Sequence, residues 1–216
     1  MFTGIITELG IVRQIQSLGG GIRLRIDAPQ STRSVNVNDS ISINGACHTV
    51  VSRDTSSFAV ESVEETLQKT ALRSLRVGDA VNLELPMQAS GRFDGHIVLG
   101  HVDTVGKIAK IEQRENSWMF TVEIPDDFQR YVVSVGSVAI DGVSLTVAQL
   151  LRNTITVSII PHTMEHTIFK TYIVGSSVNI EFDIVGKYIE RMMLHGRNAG
   201  SEKKLLTEQY LREQGF

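Results

Sequence analysis

Two nucleophile-type side chains, Cys47 and Ser144, stand 97 residues apart (144 − 47) in matching frames. The frames are Asn44-Gly45-Ala46-Cys47-His48-Thr49-Val50 and Asp141-Gly142-Val143-Ser144-Leu145-Thr146-Val147. A thiol or a hydroxyl can add to an electrophilic carbon or hydrogen-bond a polar ligand, and the Thr two residues on adds a second hydroxyl. The simpler reading of Asn-Gly and Asp-Gly is a pair of hairpin turns, and that of a lone Cys is a small buried hydrophobe. Neither accounts for the polar residues that follow. His101 is a candidate for acid/base work, the role that histidine takes most often among side chains. His96, His101 and Asp103 lie close enough in sequence to suggest a metal. On a strand, however, 101 and 103 share a face and 96 takes the other, so no metal site is expected there. Glu64 and Glu65 are adjacent and point apart on a helix, which suits a solvated first turn rather than a catalytic pair. Thr66 and Thr163 mark matched strand-to-helix junctions, where free N–H groups can meet carbonyl or hydroxyl oxygens.

These residues are positioned by a duplicated unit. Thr66, Thr70, Val77-Gly78, Val81-Asn82 and Glu84 map onto Thr163, Thr167, Val174-Gly175, Val178-Asn179 and Glu181 at the same offset of 97, while Gly4 and Gly10 map onto Gly100 and Gly106 at 96. A period this long is a domain, not a solenoid repeat. Because Cys47 and Ser144 differ at one matched spot, the duplication implies two related pockets with unequal jobs.

Within the first copy, strand patterns cover residues 1–10, 22–26, 35–43, 47–51, 58–63 and 80–85. Gly19-Gly20-Gly21 is followed by neither Lys-Ser nor Lys-Thr, so it reads as a hairpin loop and not a phosphate cradle. Residues 64–74 form the helical segment. After a connector at 86–97, the second copy repeats the programme with strands at 97–105, 108–114, 118–124, 137–140, 144–150, 154–160 and 178–182 and a helix near 162–169. Short strands at this spacing predict an all-β fold: two tandem homologous six-stranded Greek-key β-barrels with short helices, plus a C-terminal α-helix. The expected domains are an N-terminal barrel at 1–96, a C-terminal barrel at 97–183 and a helical segment at 184–216. In that last segment Ile184, Tyr188 and Met192 fall four apart, as do Val185, Ile189 and Met193. This broad apolar stripe, ending at Gly196, predicts an oligomerisation surface, and a polar helix near 202–213 follows it.

Composition narrows the class. The chain has 216 residues, 42% of them hydrophobic, and a net charge of −3, which argues against a nucleic-acid partner. The N-terminus lacks a cationic stretch followed by an apolar run, and no apolar run nears the ~18 residues of a membrane span, so a cytoplasmic location is expected. A single cysteine forms no intramolecular disulfide.

The chain resembles the riboflavin synthases that carry two lumazine-binding repeats. The resemblance rests on Met1-Phe2-Thr3-Gly4-Ile5-Ile6, both copies of the Cys47/Ser144 frame, Gly100-His101-Val102-Asp103, Ile160-Pro161-His162-Thr163 and Val178-Asn179-Ile180-Glu181-Phe182-Asp183. It implies a cofactor-free transferase of riboflavin biosynthesis that dismutates two molecules of 6,7-dimethyl-8-ribityllumazine into riboflavin and 5-amino-6-(D-ribitylamino)uracil. It also implies a homotrimer joined through C-terminal helices, with sites between neighbouring subunits, and a possible association with lumazine synthase. Carried over by position, the catalytic residues are Cys47, His101, Ser144, Thr146 and Asp183. The substrate-binding positions in the first copy are Gly4, Ile5, Ile6, Cys47, His48, Thr49, Glu61, Ser62, Val63, Glu64, Glu65 and Thr66. Those in the second are Gly100, His101, Val102, Val135, Ser144, Leu145, Thr146, Ser158, Ile159, Ile160, Pro161, His162 and Thr163. Three positions depart from the family pattern: His48 stands where Leu is usual, Val135 where some members have Lys, and Asp94-Gly95-His96 replaces Gly-Gly-His. The alternative is a non-catalytic lumazine- or flavin-binding antenna protein, which lacks the Gly-His-x-Asp and Ser-Leu-Thr patterns present here. A flavin reductase-like barrel would need a nicotinamide-binding domain, for which this length leaves no room.

Overall fold

The computed structural model describes residues 1–199 and residue 212. The first barrel is built from β1 (Glu8–Leu18), β2 (Gly21–Asp27), β3 (Ser40–Ile43), β4 (Ala46–Arg53), β5 (Ser57–Ser62) and β6 (Ala80–Glu84), with helix α1 (Glu64–Lys69) between the last two strands. The second is built from β7 (Thr104–Gln113), β8 (Trp118–Glu123), β9 (Ser137–Ile140), β10 (Val143–Leu151), β11 (Thr154–Ile159) and β12 (Ser177–Phe182), with α2 (Pro161–His166) in the matching place. Around the first barrel the strands run β1-β2-β5-β4-β3-β6; the second has the same order with each number raised by six. Closure leaves neither sheet with a free edge. Both barrels turn their corners with irregularities at matched places: Val12/Gln14 and Ile108/Lys110, Val50/Ser52 and Val147/Gln149. An extra residue on one strand bends it and increases its twist, as closing a small barrel requires.

Alternation fills each interior. Leu24 and Ile26 of β2 and Val81 and Leu83 of β6 are fully buried in one core; Phe120, Val122, Ile155 and Val157 occupy the other. Each chain segment after the fifth strand forms a short α-helix and then a 3-10 turn, Ala71–Ser74 or Ile168–Thr171, where one continuous helix is expected from sequence. The break falls at Thr70 and Thr167, whose extended backbone ends α1 and α2 while their side chains cap the following turn.

The repeated Asn-Gly and Asp-Gly pairs are two-residue turns. Asn44 and Gly45 have φ of 46° and 79°, and Asp141 and Gly142 have 45° and 78°, the left-handed pattern that tight hairpins require. The two turns also meet: a Cβ on Gly45 would lie 2.7 Å from the Gly142 nitrogen, so only glycine permits this approach. Around them Asn82 donates from Nδ2 to the Asp141 carbonyl at 2.9 Å and accepts from the Ile168 N–H at 2.8 Å. Asn179 does the reverse, donating to the Asn44 carbonyl at 2.7 Å and accepting from the Ala71 N–H at 2.7 Å. Each barrel thus satisfies buried backbone groups of the other, and residues 1–184 form one compact unit.

Three expected strands differ. Residues 1–7 and 97–103 are extended arms joined by a single bridge between Phe2 and Val98, because the N–H groups of Thr3, Gly4, Leu99, Gly100 and His101 go to side chains, as described below. Residues 35–39 turn before β3 begins at Ser40. In the second compact unit, Val185–Phe216, helix α3 (Ile184–Ala199) continues through Gly196. A lone Gly lowers helix propensity without ending a helix. Tyr188, Ile189, Met192 and Met193 of its stripe are exposed. The polar helix expected near 202–213 lies outside the described residues, residue 212 apart.

Candidate active site

Each arm is held by a buried carboxylate. Glu84 accepts the Thr3 N–H at 2.6 Å, the Thr3 hydroxyl at 2.8 Å and the Gly4 N–H at 3.0 Å. Glu181, its repeat counterpart, accepts the N–H groups of Leu99, Gly100 and His101 at 2.6, 2.9 and 2.9 Å. Burial pushes the Glu84 carboxyl up, while the hydrogen bonds from Thr3 and Gly4 pull it back. Held this way, each arm crosses to the other barrel. The Gly4 carbonyl accepts the Ser144 N–H at 2.8 Å, and the Gly100 carbonyl accepts the Cys47 N–H at 2.9 Å. A Cβ on Gly4 would lie 2.5 Å from that of Ser144, and one on Gly100 2.5 Å from that of Cys47. The two nucleophile-type residues therefore occupy equivalent places under opposite arms.

Their surroundings differ. Cys47 is half-buried, packs against Phe2 and Val98, and borders a cavity of about 240 Å³ with Thr66, Gly100, His101 and Val102. His101 is exposed beside it. Ser144 instead has its Oγ 2.6 Å from Nδ1 of His96. His96 is 6% exposed, and its Nε2 is buried without a hydrogen-bond partner. Burial pushes its imidazole below the ordinary range, and the negative charge of Asp183 partly opposes this. Ser144, His96 and Asp183 thus form a hydroxyl–imidazole–carboxylate neighbourhood. His96 is the residue that sequence reasoning missed. Read as part of a strand with 101 and 103, it faces the wrong way, whereas it lies in the irregular segment just before the second arm, where strand alternation does not apply. Glu84, Glu181, Asn82 and Asn179 were also visible only as matched letters; their pairing at the 97-residue register was the available signal.

The remaining expected positions divide by burial. His48, Ser62, Leu145 and Ile159 are buried in strands, so a ligand outside the barrel meets their backbone rather than their side chains. His48 and Ser62 pair with each other, Nε2 to Oγ at 2.5 Å, and Nδ1 of His48 donates to the Ala46 carbonyl at 2.8 Å. Because a carbonyl only accepts, the Ser62 hydroxyl donates to Nε2. Burial pushes the His48 imidazole below its ordinary range. The matched second-copy positions are Leu145 and Ile159, so the polar pair belongs to one barrel only. Ile5, Thr49, Val63, Thr146, Ser158, Ile160, Pro161 and His162 are exposed, and Ile6, Thr66 and Thr163 are intermediate. Glu61 is ion-paired with Arg23, and Glu65 with Lys69. Glu64 accepts from Gln68. Val135 is 78% exposed in a left-handed turn with φ of 61°. Among the described residues, no group of three or more His, Cys, Asp or Glu side chains could hold a metal, and no helix is long and apolar enough to cross a membrane.

Comparison with known proteins agrees with this duplicated arrangement. The Lumazine binding domain family matches residues 3–86 and again 99–183. The chain is 40% identical to riboflavin synthase of Bacillus subtilis (strain 168) and 42% identical to that of Actinobacillus pleuropneumoniae, in each case over 100% of both chains. Among solved structures, LumP complexed with riboflavin matches with a TM-score of 0.79 at 25% identity, covering 84% of this chain and 99% of that one. LumP complexed with 6,7-dimethyl-8-(1'-D-ribityl) lumazine matches with a TM-score of 0.76 over 84% of this chain and 98% of that one.

Proposed function

The chain belongs to the riboflavin synthase family, and we infer that it dismutates 6,7-dimethyl-8-ribityllumazine. One molecule surrenders a four-carbon unit, two ring carbons with their methyls, and leaves as 5-amino-6-(D-ribitylamino)uracil; the other gains the unit and becomes riboflavin. The observation that carries this reading is the unequal pair under the arms. Cys47 beneath Gly100 and Ser144 beneath Gly4 occupy equivalent geometry with different chemistry. Two copies of one substrate that must act as donor and acceptor call for that asymmetry.

Positioning two rings supplies much of the rate, because the substrate brings its own acidic methyl group. Cys47, Ser144 and Thr146 are assigned to binding or adding to a ring. His101, together with His96 and Asp183, is assigned to proton transfer at the methyl and at the added oxygen. The other positions assigned to lumazine binding are the arm residues 4–6 and 100–102, the β4 and β10 segments at 47–49 and 144–146, residues 61–66 and 158–163, and Val135. We further propose domains at 1–96, 97–183 and 184–216, a homotrimer joined through the exposed stripe of α3, and a cytoplasmic location. Association with a lumazine synthase belongs to the same reading.

The test is to mix purified protein with the lumazine alone and follow riboflavin absorbance. One riboflavin formed for each two lumazines consumed supports the reading. Tight binding of lumazine without turnover places the chain with antenna proteins instead.

A further inference from the structure

In the first copy, the cavity beside Cys47 is bordered by Glu65 and Lys69 of α1, which form a 2.6 Å ion pair across one helical turn. The register of 97 carries these two residues onto His162 and His166 of α2. Both are exposed, and their rings stack with centroids 4.2 Å apart and planes 13° apart. An ion pair is closed on itself, whereas two stacked imidazoles leave ring nitrogens available. Nδ1 of His166 lies 2.8 Å from the His162 carbonyl. A carbonyl only accepts, so Nδ1 carries the hydrogen and Nε2 keeps its lone pair. Metal-ligating histidines are set in this way, with the non-ligating nitrogen donating to a carbonyl or carboxylate.

Spacing allows a chelate. His162 and His166 lie one helical turn apart on the same face of α2, and two imidazole nitrogens on one tetrahedral ion, each at about 2.0–2.1 Å, lie roughly 3.3 Å from each other. The stack itself does not chelate, because each lone pair lies in its own ring plane and the planes are nearly parallel. Both side chains are exposed, so His162 can rotate out of the stack until its nitrogen and Nε2 of His166 converge on one ion. We propose that His162 and His166 form a two-histidine site for a divalent transition metal of the imidazole-binding class, such as Zn²⁺, Ni²⁺ or Cu²⁺, on the face of the second copy that matches the Cys47 cavity rim. No larger cluster of ligating side chains surrounds it among the described residues, so water completes the coordination and the ion exchanges freely. The site is modulatory: an ion on His162 competes with lumazine at that face, a consequence that rests on the functional reading above, while metal binding itself does not.

Equilibrium dialysis of the full-length chain against Ni²⁺ alone separates the two. The wild type should bind one ion per chain. His166→Gln and the double change His162→Glu with His166→Lys, which rebuilds the first copy's ion pair, should each weaken binding by at least about tenfold. Cys47→Ser should bind as the wild type does. Unchanged affinity in His166→Gln, or loss of binding in Cys47→Ser, overturns the site. Ni²⁺ should also slow riboflavin formation by the wild type, reversibly with a chelator, and leave His166→Gln at its metal-free rate, which matches wild type. Equal inhibition of both proteins overturns the competition with lumazine.

Discussion

The Oγ of Ser144, on a strand of the second barrel, lies 2.6 Å from Nδ1 of His96, on the segment that leads out of the first. The imidazole is buried and pushed below the ordinary His range, so it is neutral at pH 7 and able to take a proton from Ser144 or a bound water. His96→Gln should lower kcat by about 100-fold, the lower end of general acid–base contributions. The acid limb of the wild-type profile should lie below the usual His pKa of about 6.5 and should be missing in the variant. A variant with wild-type kcat and an unchanged pH profile would remove His96 from the chemistry.

Trimer formation through α3 is tested by deleting residues 184–216. Tyr188, Ile189, Met192 and Met193 are exposed, and burying each such side chain stabilises by roughly 1.5–3 kcal/mol. Sedimentation velocity should show a folded monomer for the truncated chain and a trimer for the whole one. A truncated trimer would move the interface elsewhere.

Cys47 separates binding chemistry from packing. Its contact with Phe2 and Val98 means Cys47→Ala should cost about 1 kcal/mol of stability, as ordinary half-buried truncations do. If the thiol also engages a ring, turnover per folded molecule should fall by about tenfold or more, which corresponds to roughly 1.4 kcal/mol. Cys47→Ser should retain more activity than the Ala variant. A lower melting temperature with wild-type turnover would make Cys47 a packing residue only.

Legibility followed the kind of signal each element carries. Strands such as β2 and β8 alternate because one side is core, and their bounds are readable from that alternation. The arms at 1–7 and 97–103 read as strands, yet the N–H groups of Thr3, Gly4, Leu99, Gly100 and His101 are taken by the Glu84 and Glu181 carboxylates rather than by a neighbouring strand. No local pattern reports such a long-range partner. The same holds for the seam: Asn82 and Asn179 stood out as repeated letters, but their crossing onto Ile168 and Ala71 depends on how the two barrels meet. Cys47 and Ser144 were found because duplication made their difference visible. His96 escaped because the 97-residue frame offered it no counterpart to differ from.

Val135 is a β-branched residue with φ of 61° at a position whose repeat counterpart, Asn38, has φ of 75°. Left-handed backbone costs an ordinary L-residue about 1–2 kcal/mol, and Asn tolerates it better. Val135→Asn should therefore stabilise the protein by about 1 kcal/mol in urea denaturation, since the side chain is exposed and loses little packing. No gain, or a loss, would mean that the valine makes a compensating contact in the assembled enzyme. Steady-state kinetics on the same variant shows whether its turn bears on lumazine, through a change in KM.

The seam between the barrels should respond to pH through Asp141. Its first-copy counterpart is Asn44; each side chain accepts an N–H from the sixth strand, Asn179 to Asp141 at 3.0 Å and Asn82 to Asn44 at 2.7 Å. Only Asp141 ionises, and its other oxygen accepts from the Tyr172 hydroxyl. Burial pushes the carboxyl up to about 7, against the pull of those two hydrogen bonds, and Tyr172 is raised in turn. Unfolded, the same group titrates near 3.9. The folded state therefore binds the proton more tightly, and Asp141 contributes stability that is fully present below about pH 4 and lost as pH rises through about 7. A shift of this size is worth on the order of 4 kcal/mol. Asp141→Asn copies what the first barrel already has: Oδ1 can accept from Asn179, and Nδ2 can donate to the Tyr172 oxygen. Denaturant titrations at pH 5 and pH 8 should find the variant more stable than wild type at pH 8, with the difference shrinking toward pH 5. If the two proteins keep the same stability difference at both values, Asp141 does not change protonation on folding and the seam is insensitive to pH.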